Sequence, residues 1–219
     1  MPHPVVLASR SPRRIELLRL IVPSAQILVR PPPSAEEESF EGLASLAAIL
    51  PHLLNIARHK HDQTAEMLNR QNQPFAALIA GDTIVVGKEP DGKLAVLGQP
   101  PEGPGRNALV RRWFREYYAG REHQVLTGVC LSVRRENRLA TKSFVVTSTV
   151  RFLDDVEPWL EWYLATGESS GKAGGYALQG AGSLFVEQVT GSLSNVVGLP
   201  IREVQAALLE LGLDVGNGN

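Results

Sequence analysis

Phe75–Val86, FAALIAGDTIVV, sets the fold. FAALIAG is an unbroken apolar run of strand length, too short for a buried helix and rich enough in aliphatics to be covered on both faces. TIVV continues the β character after Gly81 and Asp82, which places Asp82 at a strand end or a bulge. A lone carboxylate there is costly to bury unless it binds metal, accepts hydrogen bonds or acts as a base; an Asp that merely closes a turn is the plainer alternative. Thr83 beside it offers a hydroxyl, although a threonine in a strand needs no special reason.

Strands and helices alternate on both sides of this run. Pro4–Ala8 is a short apolar strand, followed by SRSP and the helical IELLRLI, with Pro12 near the first helical position. Ala25–Val29 is a second strand, and the Pro-rich PPPSAEEES leads into a helical stretch from Phe40 to about Asn69, which Pro51 is expected to divide. Further on, Arg106–Tyr118 is helical, and HQVLTGVCLSV and TKSFVVTSTVRF form a hairpin across RRENR. DDVEPWLEWYLATG is a helix with an acidic first turn from Asp154, SLFVEQV a strand and LPIREVQAALLELG a closing amphipathic helix. A hairpin added to strand–helix units predicts an α/β fold on a mixed sheet.

Composition narrows the function. The chain has 219 residues, 43% hydrophobic and 21% charged, enough to bury a core without disulfides or structural zinc. Its formal net charge is −1, from 22 Lys plus Arg against 23 Asp plus Glu. There is thus no global positive field for nucleic acid or an anionic membrane, and any polyanion must be met locally. A single cysteine, Cys130, fits a reducing compartment. The apolar stretches are too short or too interrupted for a signal core or a membrane span, so the expected location is the cytoplasm.

Four segments place charge or glycine at ends of elements, where a polyphosphate can be gripped by side chains and backbone N–H groups together. In SRSPRR, Arg13 and Arg14 can neutralise phosphate oxygens and Ser9 and Ser11 can hydrogen-bond them; a capped helix with solvated arginines is the alternative. AGDTIVV contributes Asp82 and Thr83. In GKAGGYALQG the glycines permit close backbone approach, Lys172 supplies a cation and Gln179 a donor and acceptor for a base edge, unless the segment is only a mobile surface loop. In LFVEQVTGSLSNVVGLP, Glu187 can hold a metal or face solvent, and Asn195 can fix a loop. GKEPDGK at Gly87–Lys93 imitates half a P-loop, but Leu94 follows where Ser or Thr is required, so a hairpin turn is the better account. GESSGKA at Gly167–Ala173 has the wrong spacing for the same motif. His59 and His61, two residues apart on a helix, point to different sides and are poorly placed to share a metal.

In order, LASRSPRRIELL, AGDTIVV, TGVCL, KAGGYALQGAGSLFVEQVTG and NVVGLPI resemble the successive signatures of the Maf family of nucleotide pyrophosphatases, from Val5 to about Leu213. The resemblance implies a single domain over 1–219, an elongated twisted mixed sheet flanked by helices, and two lobes with the active-site cleft between them. It implies hydrolysis of a nucleoside triphosphate to the monophosphate and pyrophosphate, with Mg²⁺ or Mn²⁺ as cofactor. Asp82 then matches the proton acceptor, Lys172 and the arginine pair stabilise developing charge, and Lys60 matches a helix lysine. Arg13, Thr83 and Gln179 match residues that tune base choice towards dTTP and UTP. One of Glu36, Glu37 and Glu38 matches an acidic residue, with Glu38 taken beside Asp82 as metal ligand. A homodimer is a further implication. Three departures stand out: Gln99 occupies a position where the family has lysine, with Lys93 or Arg106 as candidate replacements; Arg10 sits between the two serines; and Ala80–Gly81 reverses two small residues. A nucleotide-binding protein without turnover is the alternative that Gln99 raises.

Overall fold

The computed structural model describes residues 3–34, 39–89, 91–136 and 138–215. Its elements run β1 (Val5–Ala8), α1 (Pro12–Leu18), β2 (Ile27–Val29), α2 (Leu46–Arg70), β3 (Ala77–Lys88), β4 (Leu94–Leu97) and α3 (Arg106–Trp113). They continue with β5 (Glu122–Arg135), β6 (Arg138–Phe152), α4 (Glu157–Thr166), β7 (Val186–Thr190), α5 (Leu193–Val197) and α6 (Ile201–Glu210). The strands form one mixed sheet ordered β2-β1-β3-β5-β6-β7. β1 pairs in parallel with β2 and β3, while the β3–β5–β6–β7 ladder is antiparallel. The α/β class and the mixed sheet are as expected. No helix among the described residues is long and apolar enough to cross a membrane.

Two expectations are corrected. Asp82 lies in neither a strand end nor a bulge: β3 runs unbroken for 12 residues and pairs with β5 in one register from Ala77↔Val133 to Val86↔Gln124. The long hairpin partner holds β3 straight through its polar residues. Nor does Pro51 divide the preceding helix, because α2 is a single 25-residue helix with Pro51 inside it. Proline removes one backbone bond close to the N-terminus, and burial of Ile49, Leu53, Ile56 and Ala57 holds the helix across the gap. Helix α4 also starts three residues beyond Asp154, at Glu157.

Alternation along β3 divides the core into four clusters. On one face Leu78 and Ala80 pack with Ala65 and Leu68, and further along Ile84 and Val86 pack with Ile49 and Leu53, so α2 covers both. On the other face Ala77 and Ile79 join α1 and α6, whereas Val85 joins an aromatic core built by α3, α4, Phe152 and Tyr176. Between the clusters, on both faces, lie Gly81, Asp82 and Thr83. These three residues form a polar belt across the middle of the sheet, with one pair of apolar clusters on either side.

Candidate active site

The edge of β3 is covered unevenly. β1 pairs with Ala77–Ala80 and β4 with Val85–Lys88, so among the described residues Gly81–Ile84 have no strand partner on that side. A cleft of about 1020 Å³ opens at this window, large enough for a small-molecule ligand. Its lining draws on the Ser9–Arg14 turn, Lys60, Gly81–Val85, Gln99, Lys172, Gln179 and Gly198. The structure thereby brings Ser9, Ser11, Arg13, Arg14, Lys60, Asp82, Thr83, Lys172 and Gln179 to one cavity from four separate segments.

Asp82 faces α2 and forms an ion pair with Lys60, their side chains only 16% and 18% exposed. Lys60 continues the stripe of α2 that carries Ile56 and Thr64, which is why a lysine reaches the sheet between two apolar clusters. Thr83 points to the opposite face. Its Oγ1 accepts from Arg14 Nη2 at 2.9 Å, lies 3.0 Å from Thr127 Oγ1 and donates to the Gly198 carbonyl at 3.3 Å. Arg14 also donates from Nε to the Gly198 carbonyl at 2.8 Å and from Nη1 to Ser9 Oγ at 3.3 Å. Arg14 therefore ties α1, β3 and the turn after α5 together, a scaffolding role that the sequence did not suggest. Ser9 is buried and also accepts from the Ser11 N–H at 3.1 Å.

Arg13 and Lys172 both line the cleft, near enough to feel one another's charge. Burial lowers both pKa values, and for Lys172 the positive charge of Arg13 lowers it further, while Glu168 opposes the shift in each. Two partly desolvated cations that disfavour one another make a site for an anion. Lys172 Nζ rests on the Glu168 carbonyl. Gln179 is exposed on the same loop.

That loop is fixed from beneath. Tyr118 Oη donates to the Gly174 carbonyl at 2.9 Å and Tyr163 Oη to the Gly175 carbonyl at 2.8 Å. Tyr176 meets His123 Nε2 at 2.7 Å inside the aromatic core. Gly174 and Gly175 both have φ near +70°, and a Cβ on Gly174 would lie 2.6 Å from Val85 Cγ2. The glycines thus serve a packed seat, and the expectation of a possible mobile loop gives way. Glu168 and the three tyrosines were missed by sequence reasoning; only the density of glycines after Glu168 hinted that something must hold them.

The remaining expectations divide. Glu187 lies outside the cleft, on the surface, paired with Arg151 at 2.6 Å. Arg106 is also outside it and pairs with Glu102, which leaves Lys93, itself paired with Asp91, lining the cleft at the end of β4 opposite to Gln99. Asn195 does fix a loop: buried, it donates to the Val125 carbonyl at 2.9 Å and to Ser148 Oγ at 3.0 Å. His61 is buried against Ser132, whereas His59 bonds to Gln63 on the exposed side. Glu36, Glu37 and Glu38 lie outside the described residues.

Among curated proteins, the chain is 37% identical to a dTTP/UTP pyrophosphatase of Exiguobacterium sibiricum, covering 97% of this chain and 94% of the relative. It is 38% identical to a dTTP/UTP pyrophosphatase of Thermococcus kodakarensis, covering 96% and 98%. Among solved structures, the Staphylococcus aureus Ham1 protein overlaps 68% of this chain and 72% of its own at 18% identity and a TM-score of 0.40, and adds nothing to the fold described above. The sequence profile described as Maf-like protein matches residues 4–211, and with nearly full-length relatives above 30% identity, the chain belongs to that family.

Proposed function

We propose that this protein hydrolyses a nucleoside triphosphate between its α- and β-phosphates, releasing pyrophosphate and the monophosphate, with dTTP and UTP as preferred substrates. The observation that carries the reading is the window in β3: a carboxylate and a hydroxyl emerge on opposite faces of one strand where its edge is open, and cations face them from both walls. The base preference draws on the names of the relatives. The cleft collects residues from Ala8 to Gly198, which favours one functional unit over the whole chain.

In this reading Asp82 accepts a proton from the attacking water, held in place by Lys60. Arg13 and Lys172 offset charge on the phosphates as the bond to the leaving group lengthens. Arg14 acts indirectly, keeping Thr83 and the Ser9–Ser11 turn in position. Gln179 and Thr83, which both line the cleft, select the nucleotide through contacts to its base and sugar.

Mg²⁺ or Mn²⁺ fits the donor set. Magnesium keeps several waters and binds through one or two carboxylates plus substrate phosphates, and no group of three or more His, Cys, Asp or Glu that could form a protein cage occurs among the described residues. Asp82 would hold the ion, with Glu38 as the second candidate, and the ion when bound would supply charge neutralisation of the phosphates.

The test is pyrophosphate release from dTTP, UTP, CTP, GTP and ITP with Mg²⁺ or Mn²⁺, comparing wild type with Asp82→Asn. Turnover that falls by roughly 10²–10⁴-fold in the variant is expected for loss of a general base. A folded wild type that binds nucleotide and releases nothing would overturn the reading and leave a binding protein, with Gln99 as the first residue to restore to lysine.

A further inference from the structure

We propose that Glu168 is a positioning residue for the nucleotide, stapling both ends of the Gly171–Gly182 loop so that Lys172 and Gln179 face the cleft together; this rests on the hydrolytic reading above. Its carboxylate accepts from the Ala181 N–H at 2.6 Å and the Gly182 N–H at 3.0 Å. Its own carbonyl accepts from Lys172 Nζ. One residue just beyond α4 thus holds the cation at the start of the loop and the backbone just beyond Gln179.

The fit is close. A Cβ on Gly180 would lie 2.3 Å from Glu168 Oε2, so a side chain at 180 would push the carboxylate off its two N–H partners. Bonds from backbone N–H groups to an ionised carboxylate are the strong kind, and the pair aims both donors at one side chain. The negative charge also faces Arg13 and Lys172, whose mutual repulsion it moderates in the absence of substrate. Because Tyr118 and Tyr163 fix Gly174 and Gly175 independently, losing the staple loosens the Gln179 side of the loop without unfolding its base.

Glu168→Gln keeps the size of the side chain but turns one acceptor oxygen into a donor, so one N–H loses its partner. In the full chain, amide hydrogen exchange over residues 177–183 is expected to accelerate roughly tenfold, and KM for dTTP to rise by a similar factor, the cost of a lost charged hydrogen bond. The ratio of kcat/KM between dTTP and CTP should narrow, while Glu161→Gln on the exposed face of α4 leaves all of these unchanged. Unaltered exchange overturns the proposal. So does faster exchange with KM and base ratio untouched, which would make Glu168 merely structural. If Glu168→Gln does not fold, Glu168→Asp, too short to reach both N–H groups, is judged by the same measurements. If the wild type releases no pyrophosphate, the hydrolytic reading fails by itself. Nucleotide dissociation constants from calorimetry then replace KM, and equal values in wild type and variant sink the positioning claim.

Discussion

Arg14 carries the same charge as a lysine would, but its surroundings need a fork. Three of its nitrogens donate to three acceptors on separate segments, the Gly198 carbonyl, Ser9 Oγ and Thr83 Oγ1. A lysine is a single compact ammonium and cannot span them. Arg14→Lys is therefore expected to lower stability by about 1–3 kcal/mol, read as a shift in the urea midpoint, despite conserving charge. Activity should fall with it, since Thr83 loses its strongest partner. The sequence displayed Arg13 and Arg14 as an equivalent pair. What separates them is the carbonyl of Gly198, 184 residues away, which no local pattern can announce.

At the scale of elements, the position of α2 decides where Lys60 meets Asp82. The helix passes so close to β5 that a Cβ on Gly128 would lie 2.9 Å from the Leu53 backbone oxygen. Gly128→Ala must push backbone rather than a side-chain tip, so about 1–3 kcal/mol of destabilisation is expected in thermal or urea unfolding. The kcat should fall beyond what stability explains, because the helix carries Lys60 away with it. Helices, the long hairpin and the order of the signatures were legible in the sequence, because period and turn chemistry are local. Asp82 was recognised but misplaced: a carboxylate inside a central strand contradicts local preference, and only β5 on one side and Lys60 on one face make it tolerable. Glu168 stayed hidden because its partners are backbone N–H groups 13 and 14 residues on, which carry no side-chain signal.

For the whole molecule, acid sensitivity should originate in the aromatic core. Burial pushes the His123 imidazole down from 6.5 to about 3. With the folded value below the unfolded one, the unfolded chain binds the extra proton between these limits, so stability is intact above pH 6.5 and is lost as pH falls towards 3. At pH 4 the loss amounts to at most about 3 kcal/mol. The difference in unfolding free energy between pH 7 and pH 4 should shrink by an amount of that order in His123→Gln; an unchanged difference would exclude this histidine as the source. The same core holds the loop above it in a way that has an evolutionary corollary. Tyr118 and Tyr163 grip glycine carbonyls, groups that every amino acid possesses. The socket is blind to the letters it receives so long as Gly174 and Gly175 preserve the turn. If Gln179 selects the base as proposed, Ala177, Leu178 and Gln179 are a cassette on a fixed mount, able to drift towards another base while the machinery beneath them stands still.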